Sequence, residues 1–290
     1  MKSGIPHRLR YALSAAVAGL CLSGCVEILP SFEANREFED SAPADGISTL
    51  QLDSRNGRIR ILVSASEDDV RISGELRAFA DSPEAAEASL DLIEVVVSNP
   101  SPTMIRIDLQ APDDDILHRY GANLQIMLPH GMDLDIQSFE GNVFVEGNEG
   151  ETRIDASRGL ISVTGQIGDV AIDAADGNVE VESVDGSVNV EAVAGDVAVV
   201  AWPPDAGEVL VHVTSGAANV QVPRDMEAAM NMFSSIAQLD VNLDGFRVSD
   251  LDISDFRIRG DLNGGGGRLE IEVVGGSVVF AGFDSSTPDP

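Results

Sequence analysis

Residues 168–195 read GDVAIDAAD, GNVEVESVD, GSVNVEAVA and then G: three nine-residue units, each opened by glycine. The same beat runs through Gly141, Gly150, Gly159, Gly168, Gly177, Gly186, Gly195, Gly207 and Gly216. Only the step from Gly195 to Gly207 breaks it, by three residues around Trp202-Pro203-Pro204. Counting glycine as the first position, the third and fifth are β-branched in nearly every unit, as in Val143 and Val145 or Val179 and Val181. The second, fourth and sixth are mostly polar. The seventh is usually small: Gly147, Ala156, Gly165, Ala174, Ser183, Ala192. Strand geometry sends odd positions to one face and even positions to the other. The small seventh residue and the glycine suit a tight corner, where side chains crowd and a positive φ is needed.

One such unit cannot bury its own apolar face, but stacked units can. Two units make a flattened coil of about 18 residues, with neighbouring coils hydrogen-bonded at roughly 4.8 Å. A three-sided coil of about 27 residues is the competing arrangement and is less favoured, and an antiparallel meander could occur locally. The expected fold is all-β: a parallel β-solenoid, β-helix- or β-roll-like, built from nine-residue half-coils. One short helix is expected near the N-terminal strands, because Ser82-Pro83-Glu84 offers a cap, a first-turn proline and an acid at the positive helix end. That helix should run to about Leu92.

Residues 47–80 alternate as strands, with Asn56-Gly57 read as a tight hairpin turn. Strands are expected at Ile93–Val97, Met104–Leu109 and Leu124–Leu128, with Pro129-His130-Gly131 as a turn. Beyond Val222 the strict period is lost, though Phe246, Val248, Leu251, Ile253, Phe256 and Ile258 still alternate. Gly264–Gly267 reads as a turn, and the last strands are expected to cap the open solenoid edge. The chain thus divides into a signal (1–24), an acidic tether (25–46) and an N-terminal β region with the short helix (47–140). The repeat core (141–222), C-terminal strands and cap (223–283) and a disordered tail (284–290) follow.

The first residues read as an export signal: Lys2, Arg8 and Arg10, then an apolar run from Tyr11 to Leu22 too short to span a bilayer permanently. The run ends in Leu22-Ser23-Gly24-Cys25, which resembles the lipobox of bacterial lipoproteins. That resemblance implies cleavage before Cys25 and lipid on its sulfur; an ordinary secretory signal is the alternative. Several acyl chains on one residue give stable anchoring. Val26 rather than Asp after the cysteine implies the outer membrane. Cys21 leaves with the signal, so no disulfide is available to the mature chain.

Cleavage there removes three of the 18 cations and none of the 49 acids, so the net charge of −31 becomes −34, and every remaining cation is arginine. Such a surface repels nucleic acid and anionic lipid and attracts basic partners or divalent cations. A salt-adapted or GC-rich background explains the acidity and the missing lysine better than a dedicated ligand does. Aromatic residues are sparse, at 4%, which disfavours a sugar-stacking surface.

The order of elements resembles a widespread bacterial family of unknown function, labelled candidate adhesins or β-strand-repeat lipoproteins. The likeness runs through Leu52-Asp-Ser-Arg-Asn-Gly-Arg-Ile-Arg-Ile, the Ser82-Pro83-Glu84 helix, Leu124-Gln-Ile-Met-Leu-Pro, the repeated Gly-Asp/Asn/Ser-Val-x-Val units and Gly276-Ser-Val-Val-Phe. It implies an all-β, solenoid-like fold and an envelope location, and it carries over no catalytic residues.

Chemistry is sparse. Asp240-Val-Asn-Leu-Asp-Gly245 copies half of a calcium loop, but the twelfth position is Leu251 rather than a bidentate Glu. The units lack the Gly-Gly-x-Gly-x-Asp of calcium β-rolls. His118, His130 and His212 are far apart in sequence, without metal-ligand spacing. No Gly-x-Ser-x-Gly elbow or phosphate loop occurs. An 18-residue coil would, however, stack Asp155, Asp173 and Glu191 in one outward column, with Glu151 and Asp169 beside it. Such a column could recruit a divalent cation, bind a basic partner or, as is usual for charged faces, stay solvated. Trp202, the only tryptophan, is either a partner anchor or a ring folded over the corner; the second is favoured.

The functional expectation is a non-enzymatic, lipid-anchored envelope protein, an adhesin or scaffold, without cofactor, metal or nucleic acid. A periplasmic sensory or regulatory module of envelope stress is the first alternative, and an envelope polysaccharide-active enzyme the second. Replacing Cys25 by Ser is expected to move the protein from the membrane fraction to the soluble one and to abolish acyl adducts by mass spectrometry. An unmodified Cys25 in membrane-bound wild type would refute the lipobox reading.

Overall fold

A computed structural model describes residues 32–64, 66–112, 119–236 and 238–285. The signal, Cys25 and His118 lie outside them. The chain enters on β1 (Phe32–Pro43), then forms a coil from β2 (Thr49–Asn56) and β3 (Ile59–Val63). Next come β4 (Asp69–Ala80), α1 (Pro83–Leu90) and β5 (Glu94–Ser101). A second coil is β6 (Met104–Gln110) with β7 (Tyr120–Leu128). The glycine ladder then winds consecutive coils. These are β8 (Asp133–Glu140) with β9 (Val143–Glu146), β10 (Thr152–Arg158) with β11 (Ile161–Thr164), and β12 (Val170–Asp176) with β13 (Val179–Val184). The next are β14 (Val188–Ala194) with β15 (Val197–Ala201), and β16 (Glu208–Ser215) with β17 (Ala218–Pro223). After them come β18 (Ala228–Ser234) with β19 (Leu239–Val241), the hairpin β20 (Val248–Ile253) and β21 (Arg257–Leu262), and a last coil of β22 (Gly267–Gly275) with β23 (Val278–Phe283).

Each coil gives one strand to an 11-stranded sheet and one to a 12-stranded sheet. The ladder is parallel and in register: Val143 sits beside Ile161, Ile161 beside Val179, and Val179 beside Val197. On the other sheet Ile154 sits beside Ile172, and Ile172 beside Val190. The coil is therefore two-sided and 18 residues long. The third- and fifth-position residues face inward and are fully buried, from Val143 and Val145 to Val197 and Val199. Parallel strands covered on their inner face favour such β-branched files.

The corners explain the rest of the motif. Successive coils pass so close that a Cβ at Gly159, where φ is +130°, would stand 2.1 Å from the carbonyl oxygen of Gly141. At Gly186, on the opposite corner, φ is not the constraint, yet a Cβ there would meet Gly168 O at 2.2 Å. The polar second residue closes the corner amides. Asn142 Oδ1 accepts from Leu160 N–H at 3.0 Å, Asp169 Oδ1 from Ser187 N–H at 2.8 Å and Asn178 Oδ1 from Asp196 N–H at 3.0 Å. Each of these amides lies one coil onward and would otherwise lack a partner at the bend.

Both ends depart from sequence order. The β2–β3 coil is inserted between β6–β7 and β8–β9, and the β22–β23 coil between β16–β17 and β18–β19. Two sequence expectations are corrected by this. Asn56-Gly57 is a coil corner, not a hairpin, because β2 and β3 lie in different sheets. Gly57 meets the same demands as the ladder glycines, with φ at +123° and a Cβ position 2.1 Å from Ala122 O. The closing strands are interior, and three of the four sheet edges are covered instead by antiparallel pairs, β20–β21 on β18, β1–β4 on β7 and β5 on β6, while the fourth edge is the short parallel strand β19.

Residues 32–43, expected within the tether, pair along β4 from Phe32 opposite Ala80 to Pro43 opposite Asp69. Ala34 and Phe38 pack toward the core, Ala42 is buried, and α1 lies against β1 and β4. Ser82 Oγ caps α1 by accepting from Ala85 N–H at 3.2 Å, and the helix ends at Leu90, two residues early. Asp284 and Ser285, expected in the tail, contact Arg224 and Asp225.

The corner makes a direct prediction. Gly159→Ala should destabilise the fold by at least about 1–3 kcal/mol, from the left-handed φ and the blocked Cβ together. Ser162→Ala, at an outward position on β11, should stay within about 0.5 kcal/mol of wild type. Denaturant midpoints of the two variants test this; equal midpoints would refute the corner argument.

Candidate functional site

The inward residues are committed to packing, so the outward columns are where this fold can meet a partner. On the 12-stranded sheet, register places Asp155 beside Asp173, Asp173 beside Glu191, Glu191 beside His212, and His212 beside Glu272. In the other direction the column continues through Gln137, Asp53 and Asp108. Neighbouring members stand about 4.8 Å apart along the stack, so their charges repel.

Compensation is partial. Arg153 Nη2 lies 3.8 Å from Asp173 Oδ2, an exposed contact of little net strength. Asp155 and Glu191 make no ion pair among the described residues. At the far end Arg106 Nε donates to Asp108 Oδ1 at 2.8 Å; that bond, then the Asp108 and Asp53 charges, raises the guanidinium pKa above its ordinary value. A shallow open groove of about 400 Å³ follows the acids from Asp155 to His212, beside Ala174, Ala175 and Ala192. The small seventh position thus leaves room along the rail. Beside the column, Asp169 is engaged in a corner hydrogen bond, and Glu151 N–H donates to Asp133 Oδ1 at 2.9 Å.

Among the described residues, His130 and His212 do not converge with one another. His130 Nδ1 lies 2.7 Å from Glu149 Oε1. His212 instead meets two residues with no sequence link to it, Glu270 and Glu272, and one potential ligand atom from each of the three lies within 4.8 Å of the others. Chain spacing could not reveal this group, because β22 reaches β16 only through the out-of-order coil. The half calcium loop at Asp240–Gly245 is a strand entering a turn: Leu239–Val241 is β19, Asn242 Oδ1 accepts from Asp244 N–H at 2.9 Å, and Leu251 sits on β20.

Residues 123–254 match the Toastrack DUF4097 family. The resemblance read from the repeat motifs is supported by this match. The matched segment runs from within β7 to just past β20, so both out-of-order coils, β2–β3 and β22–β23, fall outside it although they share the same two sheets. Two solved structures are similar in outline. A candidate cell adhesion protein from Clostridium sporogenes is 12% identical with a TM-score of 0.34, covering 86% of this chain and 100% of its own. A candidate adhesin from Bacteroides fragilis is 13% identical with a TM-score of 0.26, covering 88% and 99%. No curated protein sequence matches the chain. Among the described residues no helix is long and apolar enough to cross a membrane.

Trp202 opens the insertion in the glycine ladder. Its backbone N–H donates to Val184 O at 2.7 Å, and its ring stands 4.7 Å from Phe283 at 57°. Phe283 ends β23, which lies beyond β17 from the β15 rung that Trp202 follows. The ring is part-buried and its Nε1 is enclosed without an acceptor. The contact ties the insertion to the last coil. Trp202→Ala is expected to destabilise the fold by about 2 kcal/mol, with Trp202→Phe recovering much of it. Thermal unfolding of both variants is the check; an unchanged Trp202→Ala midpoint would make the ring a surface contact residue.

Proposed function

We propose that this chain is a non-enzymatic, lipid-anchored envelope protein, an adhesin or scaffold, that uses its outward acidic column for weak multivalent contact with a basic partner. The observation that carries this reading is the strand register that aligns Asp155, Asp173 and Glu191 on consecutive rungs. A repeated, open row of like charges suits many weak contacts whose strengths combine. Catalysis needs a unique constellation of nucleophile, base and charge-stabilising donors, and function is argued from such a site rather than from the fold. The lipobox-like Leu22-Ser23-Gly24-Cys25, followed by Val26 rather than Asp, supports a lipid anchor at the outer membrane.

Two measurements test the proposal. In protease shaving of intact cells, the protein should be cleaved while a periplasmic control survives. Protection until the outer membrane is opened would overturn the external role and favour a periplasmic sensory module. In parallel, the combined D155N/D173N/E191Q variant should melt close to wild type, because the side chains are exposed. Its affinity for a polyarginine peptide should fall about tenfold and lose most of its salt dependence. Unchanged binding would reject the column as the contact surface.

A further inference from the structure

We propose that His212, Glu270 and Glu272 form a binding site for one divalent transition-metal ion of the zinc class, which clips the last coil to the ladder. The geometry comes from register. His212 on β16 and Glu272 on β22 are direct parallel partners, and Glu270 projects from the same face of β22 two residues earlier. The three part-buried side chains bring one ligand atom each within 4.8 Å of the others. Ligands at about 2.0–2.2 Å from a tetrahedral zinc stand roughly 3.4 Å apart, so small side-chain rotations close the site.

Three further observations distinguish this cluster from the acidic column beside it. First, it contains an imidazole, and His212 Nε2 is enclosed by protein with no hydrogen-bond partner. An enclosed, unpaired nitrogen carries a desolvation cost that a metal bond would relieve. Second, Glu270 is already held in place: Asn231 Nδ2 donates to its Oε1 at 3.1 Å, and Arg268 Nη2 donates to its Oε2. Asn231 is itself oriented by Arg259 Nε, which donates to Asn231 Oδ1 at 3.2 Å. Each carboxylate oxygen keeps a second lone pair, and outer partners of this kind orient metal ligands. Third, Glu272 makes no ion pair or side-chain hydrogen bond among the described residues, and Glu191 adds negative charge on the other side of His212. One nitrogen with two carboxylate oxygens suits zinc, cobalt or nickel. Calcium prefers six to eight oxygens.

The position gives the ion a structural role. β22 enters the stack out of sequence, after an excursion from Pro223 to Gly267, and β16 is the rung it must find. A bond from residue 212 to residues 270 and 272 fixes that closure, and clips across long excursions remove much unfolded-state freedom.

The test uses the purified full-length chain, stripped with EDTA and titrated with zinc chloride by calorimetry and thermal unfolding. One equivalent should bind and raise Tm by several degrees, and calcium chloride should do neither. His212→Ala and Glu272→Gln should each weaken zinc binding about tenfold or more, and D155N/D173N should leave it unchanged. Cobalt should give a visible absorption band that His212→Ala removes. If either variant fails to fold, the other and the wild-type cobalt spectrum decide. Absence of zinc stabilisation in wild type, or zinc binding that survives both ligand substitutions but falls in D155N/D173N, would overturn the site.

Discussion

The constraint on which the structure rests is the approach of one backbone to the next at the coil corners. Stacked strands must keep hydrogen-bond spacing through the bend as well as along the straight runs. At the bend that spacing leaves no volume for a Cβ: at Gly159 it would stand 2.1 Å, and at Gly186 2.2 Å, from the carbonyl oxygen of the glycine at the same corner one coil earlier. Glycine at a fixed interval follows. The residue after it can then turn its side chain along the stack, and Asn or Asp there accepts the amide that the bend would leave unpaired. Glycine, Asx and a pair of β-branched residues are therefore one requirement written three ways. Register follows from it, since a slipped strand would send its valines outward and misplace its glycine together.

This explains which parts of the molecule were legible. The two-sided coil, its inward files and the capped helix at Pro83–Leu90 depend on residues near one another in sequence, so periodicity and capping chemistry expose them. The column of Asp155, Asp173 and Glu191 was legible for the same reason, because an 18-residue coil converts spacing into adjacency. Coil order at the two ends was not. Asn56-Gly57 satisfies the local rule for a hairpin and the local rule for a solenoid corner equally well, and only the partners of β2 and β3 decide between them. β1 was missed because Ala34, Phe38 and Ala42 show an apolar face only every fourth residue, among acids that resemble a linker. His212, Glu270 and Glu272 were missed because their adjacency depends on where the last coil is inserted.

The insertions have a physical use. A solenoid that grows strictly in sequence leaves both terminal coils with one open, ladder-ready edge. Here the coil at each extremity of the stack is not the terminal coil of the winding chain. β2–β3 and β22–β23 are each held between two other coils, so neither can peel from the end. Three of the four exposed edges pass to strands in antiparallel pairs, which break the parallel pattern that another solenoid edge would match, and the fourth, β19, is only three residues long. The arrangement places long-range pairing where folding closes the chain, and non-local contacts of this kind form late and slowly. Contacts that tie the inserted coil to the ladder then matter more than their area suggests. Trp202 on Phe283 is one such tie, joining the one irregular step of the ladder to the end of the last strand.

The outward face inherits the same logic with the opposite sign. Register that concentrates valines inside concentrates charge outside, since every side chain stacks on its counterpart from the adjacent rung. A surface with many acids and few arginines therefore becomes rows of like charge rather than a diffuse negative field. Along the row through Asp155 the repulsion is interrupted at His212, the one histidine in the file, at the rung where the out-of-order coil joins. There the neighbouring strand supplies Glu270 as well as Glu272, so carboxylates converge on an imidazole instead of facing only each other. The rest of the row stays open and repetitive, as multivalent contact requires, and among the described residues this rung alone gathers different donor types around one point.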